Sequence, residues 1–338
     1  MPKISAFISG CKGPSLSDDE IRFFRERNPW GLILFKRNCE TPDQLRALTA
    51  SFRAAVGRRD APVLIDQEGG RVQRLGPPSN FWRKYPAGRA FGDLYQTNRV
   101  QALRTARHSA RLMAEDLFDV GITVDCLPVL DVPQPTGHDV IGNRAYSMNV
   151  EHVMALARAH AAGLMDGGVL PVVKHIPGHG RAAVDSHLNL PVVDASLAEL
   201  EETDFPPFAA FADAPMAMTA HVVYTAIDKN APATLSRKVI SRIIRKEIGF
   251  RGLLMTDDLS MKALSGSMTE KCERALNAGC DMLLHCGGVM EEMEEVAAAA
   301  GQLKGKALQR ARAALKSARK PQKYDRKAAL ADLDALMA

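Results

Sequence analysis

The side chains with most chemistry in this 338-residue chain crowd into one stretch. Val172-Val173-Lys174-His175-Ile176-Pro177-Gly178-His179-Gly180 runs on to Asp185-Ser186-His187 and holds three of the nine histidines. Asp185 and His187 are two residues apart. In an extended segment such side chains point the same way, so the carboxylate can orient the imidazole and favour its protonated form. A histidine tuned in this way is a general acid–base. His175 and His179 raise the question of a metal. Four-residue spacing suits two ligands on a helix, but Pro177 and Gly178 forbid a helix there, and the chain has neither a paired-cysteine motif nor an ExxH. No metal and no cofactor are expected.

Other reactive groups follow short apolar runs. Asp257 stands directly behind residues 252–256, and a carboxylate so placed can be a nucleophile, a base or a metal ligand. Its neighbour Asp258 suits the N-cap of a following helix. Lys174, Arg74 and Arg144 are donors only, and Asp66 is an acceptor. Converging on one pocket, they would suit a substrate rich in hydroxyl, carbonyl or carboxylate oxygens.

Convergence requires a scaffold. Apolar runs over 4–9, 30–35, 62–65, 122–127, 169–173, 216–224, 252–256 and 281–286 read as eight strands. Between them lie helical patterns, among them 17–28 opened by Ser17 with Glu20 three residues on, 41–56, 97–120, 150–167, 236–248 and 270–278. The strands are almost continuously apolar, as strands covered on both faces must be. Eight such strands alternating with helices predict an α/β fold, a single-domain (β/α)8 barrel of the TIM type over 1–338, with extra C-terminal helices. A doubly wound open sheet is disfavoured, since no GxGxxG follows the first strand. In a barrel Asp66, Arg74, Arg144, Lys174, His175, His221, Asp257 and Asp258, many of them distant in sequence, meet at the C-terminal mouth.

Composition excludes several function classes. Hydrophobic residues make up 46% and charged residues 25%, an ordinary globular balance. No apolar run reaches the length of a membrane span. The net charge of +5 is unevenly distributed. Lys304 to Lys327 contains ten Lys/Arg and one acid, a net +9, while the remainder carries 34 basic and 38 acidic residues, a net −4. The basic helical tail, about 303–338, should pack on the barrel or extend from it with a solvated face. No basic groove with interleaved aromatics points to nucleic acid. Cys11, Cys39, Cys126, Cys272, Cys280 and Cys286 sit mostly in apolar runs and read as buried free thiols of a reducing compartment. Ile8-Ser9-Gly10-Cys11 has the look of a lipoprotein cleavage box, but the apolar segment before it is too short for a secretory leader. A cytoplasmic location and a monomer are the expectations.

With these residues in place, a family resemblance emerges. Lys174-His175-Ile176-Pro177-Gly178-His179-Gly180 with Asp185-Ser186-His187 and Pro191 resembles the signature of the β-N-acetylglucosaminidases of glycoside hydrolase family 3. Asp66 to Arg74, Gly142-Asn143-Arg144 and Thr256-Asp257-Asp258-Leu259-Ser260-Met261 are similar to further motifs of that family. Ile176 departs from the phenylalanine expected there. The resemblance implies Asp257 as catalytic nucleophile, His187 as acid/base with Asp185 as partner, and Asp66, Arg74, Arg144, Lys174 and His175 as the residues that hold the sugar. It implies retention through a glycosyl-enzyme, and a histidine acid instead of the usual second carboxylate. It further implies removal of N-acetylglucosamine from 1,6-anhydro-N-acetylmuramyl (peptide) fragments, hence a role in peptidoglycan recycling and cell-wall biogenesis. The residues leave two other readings open, phosphorolysis by the same machinery and a metal-dependent barrel hydrolase using His175, His179 and Asp257.

Overall fold

The computed structural model describes residues 3–135, 137, 139–186 and 188–338. Eight parallel strands close into a barrel. They are β1 (Ser5–Ser9), β2 (Pro29–Leu34), β3 (Val63–Ile65), β4 (Val124–Asp125), β5 (Leu170–Ile176), β6 (Met216–Thr219), β7 (Leu253–Asp258) and β8 (Met282–His285). Each pairs with its sequence neighbours, and β1 closes the ring on β8 with Phe7 opposite Leu283. The single-domain TIM-type barrel expected from the apolar runs is the observed fold.

Two cores result from the period of two along each strand. Ile8, Leu64, Val124, Leu170, Val172, Met216, Met218, Leu253, Met255 and Leu284 fill the barrel interior. The alternate residues Phe7, Leu32, Val63, Ile65, Val173, Ala217, Leu254 and Leu283 face the helix layer. That alternation places the chemistry. One further step along the inward phase takes Leu64 to Asp66, Val172 to Lys174 and Met255 to Asp257, so polar groups cap the packed interior at its C-terminal end.

Local signals govern several boundaries. Ser17 caps Asp18–Arg27 and Glu20 reaches back to complete a capping box. The tail forms two helices, Gly305–Lys316 and Arg326–Met337. Arg310 of the first bonds Asp281 at 2.7 Å, and Asp332 of the second meets Gln101, Arg104 and His108 of Arg99–Asp119.

Other boundaries differ from expectation. The sixth strand ends at Thr219; Val223–Tyr224 leaves the barrel and pairs in parallel with Val192–Val193. Val222, Val223 and Tyr224 are buried all the same, beneath the loop layer, so apolar composition could not mark where the strand stops. Residues before 97 contain an additional helix, Gly88–Thr97, separated from Arg99–Asp119 by Asn98, whose side chain caps the second. Asp258 caps no helix. β7 runs through it, and the next helix, Met268–Ala278, starts under Ser267. Among the described residues no helix is long and apolar enough to cross a membrane.

Candidate active site

A narrow cavity of about 100 Å³ opens at the C-terminal mouth and is lined by Asp66, Arg74, Arg144, Lys174, His175 and Asp257, together with Glu68, His179 and Ser186. Six of the predicted site residues therefore meet. Asp185 lies half-buried on the loop beside Ser186. His187 lies outside the described residues. Larger grooves, such as one of about 690 Å³ on the outer helices beside Arg107 and Tyr324, hold none of these groups.

The floor of the cavity is a web of buried charges. Lys174, only 2% exposed, extends its Nζ to Asp66 Oδ1 at 2.8 Å and to Glu68 Oε1 at 2.7 Å. Arg144 grips both oxygens of Glu68 at 2.8 Å each, a bidentate pair. Arg74 reaches the other oxygen of Asp66 at 3.2 Å. Burial by itself would raise both carboxyls, but Arg144 and Lys174 outweigh it at Glu68 and hold that group at about 2. Asp66 is likewise held well below the ordinary carboxylate range, by Lys174 and Arg74 against burial. Burial would lower Lys174, and the two carboxylates keep it charged instead. The floor thus presents ionised acceptors and donors whose positions are fixed before any ligand arrives.

His175 is set by a different acid. Asp131, fully buried at the exit of β4, takes its Nδ1 at 2.7 Å and also accepts the backbone N–H groups of His175 and His179. Burial works against the ionised form of Asp131, yet His175 and these bonds lower it to about 2. An ionised acceptor requires the hydrogen on Nδ1 of His175.

His179 has more to do than shape the turn. Its Nε2 lies 3.1 Å from Ser186 Oγ, which ties the end of the strand to the loop that carries Asp185. Burial first, then the nearby His175, lowers its pKa to about 4, so the ring is neutral at pH 7. The turn itself needs its glycines. Gly178 sits at φ +136, and a Cβ on Gly180 would stand 2.0 Å from the carbonyl oxygen of Val132.

Asp257 projects from β7 with its Oδ1 2.8 Å from the Asp258 amide nitrogen. The carboxylate of Asp258 turns away from the cavity, bonding Ser260 and the Cys286 amide and thereby joining β7 to β8.

Reading the strand ends alone misses Glu68 and Asp131. Glu68 sits within Gln67–Gly69, which pairs with Val72–Gln73 as a small antiparallel hairpin, and that hairpin folds it back over the mouth. Its signal was an acid two residues after Asp66 and shortly before Arg71 and Arg74. Asp131 follows Pro128-Val129-Leu130, and a buried acid directly behind an apolar run was the available cue.

A carboxylate at a barrel mouth, facing a wall of fixed donors and acceptors, is an arrangement for glycosyl transfer. The pattern of the glycosyl hydrolase family 3 N-terminal domain matches residues 17–318. The chain belongs to glycosyl hydrolase family 3. Among its relatives in the family, a β-hexosaminidase of Alkalilimnicola ehrlichii is 39% identical over 289 residues, covering 84% of this chain and 81% of that protein. A β-hexosaminidase of Chromobacterium violaceum is 41% identical over 260 residues, 76% of this chain and 71% of the relative. The crystal structure of NagZ from Neisseria gonorrhoeae in complex with N-trifluoroacetyl-D-glucosamine superposes over 100% of both chains with a TM-score of 0.89 and 31% identity. This family 3 protein is a glycoside hydrolase.

Proposed function

We propose that this family 3 hydrolase is a retaining exo-β-N-acetylglucosaminidase acting on 1,6-anhydro-N-acetylmuramyl (peptide) fragments. Asp257 is its nucleophile, and His187, oriented by Asp185, is its acid/base. The observation that carries this reading is the position of Asp257 in one cavity with Asp66, Arg74, Arg144, Lys174 and His175. Asp66 accepts from ring hydroxyls, while Arg74, Arg144, Lys174 and His175, themselves held by Asp66, Glu68 and Asp131, donate to the remaining oxygens. With the ring so held, the Asp257 carboxylate attacks the anomeric carbon as His187 gives its proton to the departing oxygen. His187 then takes a proton from the water that displaces Asp257, and two inversions amount to retention. Residues whose geometry is fixed in advance add little reorganisation to the reaction barrier.

The relatives support the sugar, and the NagZ structure with an N-acyl glucosamine supports the acetamido class. A monomeric protein working in the cytoplasm, in peptidoglycan recycling, belongs to the same proposal. Assay of a chromogenic β-N-acetylglucosaminide, followed by product analysis, tests it. Wild type should release free N-acetylglucosamine with or without phosphate and after exhaustive chelation, and Asp257→Ala should lose at least about 10⁴-fold in kcat. Full activity in Asp257→Ala, formation of the 1-phosphate, or loss on chelation would refute it.

A further inference from the structure

His221 follows β6 and belongs to none of the groups that hold the sugar. It is fully buried, as are Thr219 and Thr234. Its two ring nitrogens have different partners. Nε2 lies 3.0 Å from the carbonyl oxygen of Asp258, and Nδ1 lies 2.7 Å from Thr234 Oγ1. A carbonyl oxygen only accepts, so Nε2 carries a hydrogen. Thr234 Oγ1 lies 2.7 Å from Thr219 Oγ1, which extends the line of polar groups back into β6. Thr234 Oγ1 also lies 3.1 Å from the carbonyl oxygen of Ala220. With the ring neutral its single hydrogen goes to the nearer acceptor, and the order is Thr219 hydroxyl to Thr234, Thr234 hydroxyl to Nδ1, and Nε2–H to the Asp258 carbonyl.

The residue held at the end of this line is the one that holds Asp257. The amide N–H of Asp258 donates to Asp257 Oδ1 at 2.8 Å, while its carboxylate is fixed by Ser260 and Cys286. Asp258 is therefore fastened on three sides, and its remaining donor points at the carboxylate proposed to attack the sugar. We infer that His221, set by Thr234, is a positioning residue that, together with the Met261 amide on the same carbonyl, fixes the backbone of Asp258 on one side of its Cα and through it the N–H on the other side that orients the Asp257 carboxylate. Burial lowers the pKa of His221, with the nearby Asp257 opposing, which agrees with a neutral ring. A neutral donor in this place orients the peptide without cancelling the charge on which the nucleophile depends.

The inference rests on Asp257 being the nucleophile, so the experiment carries Asp257→Ala beside it. If Asp257→Ala is fully active with the chromogenic substrate, the nucleophile assignment fails whatever His221 does. If Asp257→Ala is inactive and azide restores turnover, that assignment stands and His221 is tested separately. Thr234→Val keeps shape and removes the hydroxyl. It should lower kcat about 100-fold, the scale of a misplaced reacting group, with KM within about threefold and the shape of the pH profile unchanged. Thr234→Ser should return kcat to within about threefold of wild type. Should Thr234→Val not fold, His221→Gln, whose amide still donates, is compared with His221→Ala and should retain at least about tenfold more kcat. Wild-type kcat in Thr234→Val, or equal kcat in Thr234→Val and Thr234→Ser or in the two His221 variants, would overturn the inference.

Discussion

Glu68 carries two cations with one carboxylate, Lys174 on Oε1 and Arg144 across both oxygens. Removing one member of a buried ion pair leaves the others uncompensated, which costs about 3–5 kcal/mol. Glu68→Gln should therefore lose stability on that scale in denaturant unfolding at pH 7 and raise KM, as Lys174 and Arg144 lose their fixed positions. Acid removes the difference. Glu68 and Asp131 both lie below their ordinary values of 4.5 and 3.8, at about 2. The stability they add is present in full above those ordinary values and drains away as pH falls toward 2. Unfolding free energies of wild type and Glu68→Gln should thus converge between pH 5 and pH 2; a constant gap would show that the charge of Glu68 is not what stabilises the floor. Of these residues, Lys174 and Asp257 were legible because each follows an apolar run in the inward phase. Glu68 and Asp131 were not, because their roles depend on partners brought from other strands.

The turn between β5 and the loop behaves as a fitted element. Gly180 packs directly on the Val132 carbonyl, and its own carbonyl accepts from Gln134. A methyl group at 2.0 Å from backbone oxygen cannot be accommodated by a rotamer change, so the chain must move. Gly180→Ala should cost about 2–4 kcal/mol and lower kcat by displacing His179 and the loop it anchors. Calorimetry and kinetics read the two effects separately; a fully stable and active variant would show that the contact is easily relieved. Proline and glycine marked this turn in the sequence. The hairpin at Gln67–Gly69 and Val72–Gln73 carries a glycine mark too, Gly69-Gly70, both at positive φ, but its three- and two-residue strands are too short for alternation to show that they pair. The end of β6 was hidden for another reason. Val222 to Tyr224 are as buried as the strand before them, and burial, not barrel membership, is what an apolar run records.

Over the whole molecule the barrel was the most legible feature, because closure follows from eight doubly covered strands rather than from any one motif. The basic tail was less so. Its charges conceal small apolar faces, with Ala311 and Ala314 of one helix against the barrel floor and Ala329 and Leu333 of the other against the outer helices. Asp332, bonded to Gln101, Arg104 and His108, fixes the second helix far from the mouth. Asp332→Ala should lower Tm by a few degrees, about 1–2 kcal/mol, and leave kcat and KM unchanged. Thermal unfolding and steady-state kinetics on one preparation check both; a change in kcat would mean that the tail communicates with the mouth.

The two attachment points of the loop have a consequence for how the enzyme can diverge. Gly180 is seated on Val132 at one end, and Val192–Val193 is paired with Val223–Tyr224 at the other. Only the arc between them, residues 181–191, lies outside these anchors, while Asp66, Glu68, Lys174 and Asp257 stand on the barrel. Changes in that arc that keep Arg181 on Asp204, Ser186 against His179 and the proposed pair Asp185 and His187 leave the barrel strands and the charged floor as they are. On the proposed reading, preference for what leaves can drift by loop exchange while recognition of the ring is inherited unchanged, so chimaeras cut at 180 and 192 are the natural starting point for redesign.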